Sequence, residues 1–416
     1  MSALNVELYG DVLGTLAPGG KDIDFAVDER VFRKYPLAST IMSLAVPLNP
    51  QFTAPQKKKA RNFFAELLPE GRNLKWLVQT IRPEDRNTYG ILRKYGKDIA
   101  GALMVYDPLD PDSSKAPKAE RADPGKIRRL LENMPGEALA NSPVSGKTSL
   151  GGVQGKIVLA KKNASWFRAH YGHPSTHILK PVVPGYPTMI YDEAFCMRMA
   201  FELGLTSHPV WIENFDGADA LVIERYDRDG KAVNGRIHQE DFNQVLGARG
   251  DEKYQEYGGK ASAKRIAGII GRFCEDESDV AKFAAQLVFA VAIGNLDMHA
   301  KNVSVLHCPD QAVRLAPAYD QVPFRHQNTD GRMAFSIGGE YVHANLTIEK
   351  ITNELVSWKT NAFPSETIAG AFVRDCLESC CLALEKTGIV KKAYPSLKKD
   401  IASFVENLLS GKRISA

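Results

Sequence analysis

The chain has 416 residues, of which 44% are hydrophobic and 25% charged, and its net charge is only +4. It is too long for one compact core and too evenly composed for a disordered or fibrous protein, so two or three globular domains are expected. The near balance of charge removes any global polycation argument for nucleic acid. The local runs Lys57-Lys-Lys-Ala-Arg61 and Lys391, Lys392, Lys398, Lys399 read as solvated helix faces.

In chain order, Asn5-Val-Glu-Leu-Tyr9 alternates like a strand, with no basic region and apolar run before it, so a cytoplasmic protein is expected. The alternation continues to Leu16 and predicts a hairpin turning near Gly10-Asp11. Ala60 to Leu68 carries apolar residues at helical spacing and stops at Pro69-Glu-Gly71. Asp107 to Pro117 has the proline and polar content of a linker, and a helix is expected from Pro124 to about Asn133. Lys156–Ala160 and Thr176–Lys180 read as paired strands. An amphipathic helix follows from Asp192 to Leu203, ended by Gly204, then strands at Pro209–Ile212 and Ala220–Glu224.

From Gln239 onward the pattern is mainly helical, interrupted only around 301–320. The longest apolar stretch, Phe283 to Ile293, is shorter than the roughly 20 residues of a membrane span, so it reads as a buried helix and no membrane contact is expected. These signals give an N-terminal α+β unit over 1–106, a β-rich lobe over 107–236 and a mainly helical lobe over 237–416, with a ligand cleft between the lobes. Six scattered cysteines lack paired spacing, which indicates neither zinc nor a disulfide framework.

The chemistry concentrates in Gly294-Asn-Leu-Asp-Met-His-Ala-Lys-Asn302 and Tyr319-Asp320. A helix closed by Gly294 precedes two strands, 303–307 and 312–316, around the turn Cys308-Pro-Asp-Gln311. In such a hairpin Asn302 and Asp320 sit at the open end, beside the loop carrying Asp297. One carboxylate can accept the proton of an attacking hydroxyl, while a second carboxylate and an amide oxygen suit octahedral Mg²⁺. The step from Asp297 to Asn302 equals the Asp-to-Asn step of the kinase catalytic loop. His299 and His307 belong to no His/Cys cluster and read as hydrogen-bonding residues.

A phosphotransferase also needs a phosphate cradle and a cation. Ser149-Leu-Gly-Gly-Val-Gln-Gly-Lys156 places glycines before a strand, where backbone N–H groups can approach phosphate. Gly146-Lys147-Thr148 imitates the end of a P-loop, but Asn141 stands where that pattern needs glycine. Lys180 ends a strand and Glu193 lies early on the next helix, the arrangement that fixes ATP phosphates in protein kinases; a surface ion pair is the alternative. Glu224-Arg-Tyr226, after a strand at the lobe boundary, can meet adenine.

Taken together, Ser149-Leu-Gly-Gly-Val-Gln, His177-Ile-Leu-Lys180, Val222-Ile-Glu-Arg-Tyr-Asp227, Gln239-Glu-Asp241, the 294–302 segment and Tyr319-Asp320 resemble the HipA toxins, serine/threonine kinases of type II toxin–antitoxin modules. The resemblance covers almost the whole chain and implies a bilobal, protein-kinase-like α+β fold behind a small N-terminal domain. It implies Asp297 as catalytic base, with Asn302 and Asp320 on Mg²⁺. It implies ATP contacts from Gly151, Gly152, Val153, Gln154, Gly155, Lys156, Lys180, Glu224, Arg225, Tyr226, His299, Lys301, Asn302, Tyr319 and Asp320, with Glu193 supporting Lys180. Ser149 matches the serine that such kinases autophosphorylate. Two departures stand out: Gly155 occupies a position where a polar residue is expected, and Asp320 is followed by Gln321-Val322 in place of Phe-Gly.

The family further implies a HipB-like helix-turn-helix antitoxin, operator DNA reached mainly through it, and a protein substrate such as an aminoacyl-tRNA synthetase, glutamyl-tRNA synthetase being the best known. A small-molecule or lipid kinase of the same fold, or a catalytically silent corepressor, are the alternatives.

Overall fold

The computed structural model describes residues 2–19, 22–71, 74, 78–79, 81–113, 115–133 and 155–411. The N-terminal unit is built on a four-stranded antiparallel sheet of order β3-β2-β1-β4, with β1 at Leu4–Leu8, β2 at Asp11–Gly19, β3 at Asp22–Val27 and β4 at Met104–Tyr106. Leu4, Val6 and Leu8 alternate inward and are fully buried, the period-two pattern of a half-buried strand. The first hairpin turns at Tyr9-Gly10, both at positive φ (53° and 87°), with Leu8 opposite Asp11. The helix Ala54–Glu66 lays Phe63 and Phe64 into this core. It begins earlier than its apolar spacing predicts because Thr53 and Gln56 form a capping box and Pro55 follows at the first turn.

After irregular chain and one 3-10 turn at Pro111–Ser113, β5 (Lys118–Ala122) starts the second unit. Its six strands are antiparallel in the order β5-β7-β6-β8-β10-β9, with β6 at Ile157–Lys162, β7 at Ser165–His170, β8 at His177–Pro181, β9 at Val210–Phe215 and β10 at Ala218–Glu224. The expected pairing of 156–160 with 176–180 is present as β6 on β8, with Ile157 opposite Leu179. The helix Pro124–Glu132 packs Ile127 and Leu131 under the sheet. The helix Met189–Glu202 is buried on nearly every side, not amphipathic as its sequence suggested, because it lies between this sheet and the helical lobe. Gly204, at φ 68°, ends it.

The third unit gathers the helices Ala263–Phe273, Asp279–Ile293, Ile348–Ser357, Glu366–Lys386 and Leu397–Ser410 around one large core. Asp279–Ile293 is its central rod. Gly294 closes it at φ 71°, where a Cβ would also stand 2.9 Å from Arg325 Cβ. Strands interrupt the helices more often than expected. β11 (His238–Asp241) pairs with β12 (Ser304–His307), which pairs with β13 (Val313–Leu315); β14 (Arg332–Ile337) and β15 (Glu340–Val342) form a further hairpin. β11 reads His-Gln-Glu-Asp, with no apolar alternation, and is a strand because β12 recruits it. All six cysteines are free, and no described helix is long and apolar enough to cross a membrane.

Candidate active site

The loop leaving Gly294 is held by its own polar groups. Asn295 is fully buried; its Oδ1 accepts the Asp297 N–H at 3.1 Å, and its Nδ2 donates to the Asp320 carbonyl at 3.3 Å and to Gln321 Oε1 at 3.4 Å. One amide thus joins the two segments that carry the carboxylates. The Asp297 carbonyl accepts two N–H groups, from the His299 backbone at 2.8 Å and from Asn302 Nδ2 at 2.9 Å. A 3-10 turn over Ala300–Asn302 then delivers the chain into β12. Tyr319 closes the base of the hairpin, donating to the Lys301 carbonyl at 2.8 Å and sharing a hydrogen bond with Ser304 Oγ at 2.6 Å.

Asp297 is 7% exposed, and its Oδ1 accepts the Tyr254 hydroxyl at 2.8 Å. Asp320 adopts φ 54°, a left-handed conformation uncommon outside glycine and concentrated at functional sites. From the opposite lobe, Lys180 on β8 donates to Asp320 Oδ1 at 2.6 Å and to Glu193 Oε1 at 2.7 Å. The strand lysine and the helix glutamate are therefore a buried pair, not a surface one. Burial disfavours the Lys180 ammonium, but the Asp320 and Glu193 carboxylates outweigh it and raise its pKa. Burial also works against Asp320, yet Lys180 holds its carboxyl below the ordinary range, while Glu193, fully enclosed, is pushed up. Glu193 Oε2 is buried without a hydrogen-bond partner among the described residues.

His299 is buried against the Tyr254 ring, with centroids 5.2 Å apart, and neither of its ring nitrogens has a hydrogen-bond partner among the described residues. Burial, aided by the Lys253 charge, lowers its pKa to about 3, so the ring is neutral. Tyr226 lies against Tyr319, with ring centroids 5.4 Å apart, and its hydroxyl bonds Gln239. Its two neighbours are engaged elsewhere. The Glu224 N–H bonds the Pro209 carbonyl and the Arg225 N–H the Thr176 carbonyl. The Arg225 guanidinium is held by Asp227 at 2.8 Å, Ser175 Oγ at 2.8 Å and the Ile99 carbonyl at 3.0 Å. Lys156, just before β6, keeps an exposed surface, but the enclosing protein and the Lys180 charge lower its pKa against the opposing pull of Asp320. Gly155 precedes it at the lobe edge, and Ser149, Gly151, Gly152, Val153 and Gln154 lie outside the described residues.

Asp320 and Asn302 supply hard oxygen donors of the kind Mg²⁺ takes. Among the described residues no three His, Cys, Asp or Glu side chains form a metal cluster. Asp320 offers a carboxylate, and Asn302, whose Nδ2 is spent on the Asp297 carbonyl, offers an amide oxygen. Two hard oxygen donors leave the other positions of an octahedron to water and phosphate, which is the way Mg²⁺ is usually bound. Tyr254, Asn295 and Lys253 went unremarked as site residues. Asn295 stands inside the 294–302 segment, but nothing in its spacing shows that it bonds Asp320, and Tyr254 lies 43 positions from the carboxylate it orients.

Comparison with known proteins agrees with this architecture. Residues 4–106 match the HipA N-terminal domain and residues 148–385 the HipA-like C-terminal domain. A candidate kinase of Sinorhizobium fredii, Y4mE, is 31% identical over 82% of each chain. The serine/threonine-protein kinase toxin HipA of Shewanella oneidensis is 28% identical over 74% of this chain and 71% of its own. The HipA–HipB–operator DNA complex from Shewanella oneidensis MR-1 contains a chain that superposes with a TM-score of 0.80 at 21% identity, covering 98% of this chain and 96% of that one. With both domains matched in order, and the bilobal α+β fold shared, the chain belongs to the HipA family.

Proposed function

We propose that this protein is an ATP- and Mg²⁺-dependent serine/threonine-protein kinase and the toxin of a type II toxin–antitoxin module. One observation carries the reading: Asn295 and the Lys180–Asp320 bond bring Asp297, Asn302, Asp320 and Lys180, from three separate segments, into one cleft. Asp297, oriented by Tyr254, accepts the proton of the attacking hydroxyl. Lys180, steadied by Glu193, binds the ATP phosphates. Tyr226, backed by Tyr319, meets the adenine at the Glu224–Tyr226 turn, and His299, Asn302 and the backbone of Lys301 line the nucleotide. Held by Asn302 and Asp320, Mg²⁺ would supply the charge neutralisation that a transferring phosphoryl group needs. The neutral, unpartnered His299 ring suits a place beside phosphate or its water, where a buried donor finds its missing acceptor.

The resemblance of Ser149-Leu-Gly-Gly-Val-Gln supports two finer parts of the proposal: the 151–156 loop covers the triphosphate, and Ser149 is autophosphorylated. A phosphate there adds about −1.5 to −2 charge at the mouth of an anion-binding loop, which repels ATP and switches the enzyme off. The partner proposal rests on the Shewanella complex, in which HipA is found with HipB and operator DNA. For this chain we propose a HipB-like antitoxin, DNA contact mainly through it, and a translation component such as an aminoacyl-tRNA synthetase as substrate.

The test is phosphoproteomics after induction of the wild type and of Asp297→Asn, paired with labelled ATP added to lysate and purified protein. New phosphoserine or phosphothreonine in the wild type alone is expected. Label confined to small metabolites, or growth arrest by both proteins alike, would overturn the protein-kinase reading.

A further inference from the structure

The helix Ala54–Glu66 of the N-terminal unit ends directly beneath the 297–302 loop, and two carboxylates near that end meet two lysines of the third unit. Glu66 Oε2 accepts from Lys301 Nζ at 2.8 Å and from Asn243 Nδ2 at 2.9 Å, while its Oε1 accepts the Gly250 N–H at 3.0 Å. Glu70 places Oε2 2.6 Å from Lys253 Nζ and Oε1 3.2 Å from Lys301 Nζ. Lys253, Glu66 and Lys301 are largely buried, and Glu70 is half-buried. The Asp241 carboxyl lies beside Lys301 as well. Burial pushes the Glu70 carboxyl up, but Lys301 and Lys253 outweigh it and pull it down to about 2.

Both lysines are one step from the reacting groups. Lys301 stands between His299 and Asn302, and its carbonyl takes the Tyr319 hydroxyl. Lys253 precedes Tyr254, whose hydroxyl bonds Asp297 and whose ring lies 5.4 Å from the Lys253 ammonium. We infer that Glu66 and Glu70 are positioning residues of the active site, fixing Asn302 through Lys301 and Asp297 through Lys253 and Tyr254. The N-terminal unit is then part of the catalytic apparatus, and the Lys301 ammonium serves as an anchor for the loop rather than as a ligand of the triphosphate. The inference rests on the kinase reading for its kinetic consequence, though not for its structural one.

The arrangement predicts a split between rate and binding. In E66Q/E70Q the two ammoniums lose their counter-charges and the loop shifts, so kcat falls by about 10²-fold, the penalty of a misplacement near 1 Å. KM for ATP changes far less, because Lys180 and the Glu224–Tyr226 turn do not move. K301M added to E66Q/E70Q costs little more, because the three side chains act as one unit. The helix itself remains docked through neutral bonds, Asn62 Nδ2 to the Gly247 carbonyl at 2.9 Å and Gln244 Nε2 to the Phe63 carbonyl at 3.1 Å. If the double variant nevertheless fails to fold, E70Q alone, which keeps Glu66, is expected to show the same split in smaller measure.

Hydrogen–deuterium exchange supplies a readout independent of catalysis. Amides of 297–302 should exchange faster in E66Q/E70Q while those of the helix Asp279–Ile293 do not. Unchanged kcat with unchanged exchange of the loop would overturn the inference. So would K301M that raises KM for ATP and leaves kcat intact, since the ammonium would then be on the nucleotide. Wild-type protein that transfers no phosphate would overturn the kinase reading instead, and the exchange comparison would still decide whether the two carboxylates hold the loop.

Discussion

In the cleft, Lys180 sits between Asp320 and Glu193, and the charge of Lys156 acts on both carboxylates as well. Beneath the loop, Lys253 and Lys301 are met by Glu66 and Glu70, ammonium for carboxylate. Both clusters are buried, so both carry a desolvation cost that only good pairing offsets. Each leaves one carboxylate oxygen without a hydrogen bond among the described residues, Glu193 Oε2 and Glu70 Oε1, and they differ in how they are tied to the backbone. The cleft cluster bridges two lobes through Asp320, whose backbone is held left-handed at φ 54°. The second cluster is matched and tied into neighbouring backbone, which makes it a fixture.

The comparison is broken most directly by removing Asp297. Asp297→Asn keeps a group able to accept the Tyr254 hydroxyl, so the melting temperature should hold, whereas phosphotransfer should fall by about 10²–10⁴-fold. Initial rates with labelled ATP check this; equal rates would remove Asp297 from the chemistry. Next come the two lysines. Lys180→Met takes the bonded ammonium from Glu193 and Asp320 and should cost on the order of 3–5 kcal/mol in denaturant titration; Lys253→Met should cost less, because Glu70 keeps Lys301 at 3.2 Å. Mg²⁺ should recover part of the loss in Lys180→Met and none in Lys253→Met, because a ligand stabilises only the state that binds it. Equal recovery in both would erase the distinction between the clusters.

Asn295→Ala should have a smaller effect. It removes the bonds to the Asp297 N–H and the Asp320 carbonyl and leaves buried groups unpaired, a cost of about 1–3 kcal/mol. Activity should fall further than stability, because the bonds join the two carboxylate segments. A variant with full activity would show that the hairpin alone sets their spacing.

How much of this was legible depends on where the determinants sit in the chain. The helix Asp279–Ile293, its Gly294 stop and the hairpin of β12 and β13 follow from local pattern, so the gathering of Asp297, Asn302 and Asp320 could be anticipated. Lys180 and Glu193 were also within reach, since a strand end and the first turns of a helix are local features. Glu66 and Glu70 were not: they reach Lys301 across about 230 positions of sequence, and no periodicity encodes how one domain docks on another. β5, reading Lys-Ala-Glu-Arg-Ala, was missed for a related reason. It is an edge strand with little apolar alternation, defined by its pairing with β7. Arg225 shows the converse hazard, for a motif position can be identified while its guanidinium is committed to Asp227 and the N-terminal unit.

Acidity separates the two clusters in opposite directions. Asp320 is held below the ordinary carboxyl value, so its folded form favours the charged state. Its contribution to stability is present above the unfolded pKa of 3.8 and is lost as pH falls through the folded value. Asp241, beside the matched cluster, is pushed up to about 7 by burial, with Lys301 opposing and Glu66 and Glu240 assisting. Between pH 3.8 and about 7 the unfolded chain has released a proton that folded Asp241 still binds. Stability contributed there is therefore full below that window and declines as pH rises through it. Thermal melts across the window should show Asp241→Asn with a flatter decline than the wild type, and Asp320→Asn with a smaller loss on the acid side. A wild-type profile unchanged by Asp241→Asn would mean that Asp241 is ionised throughout, which would add a third charge to the cluster around Lys301 and end its description as evenly matched.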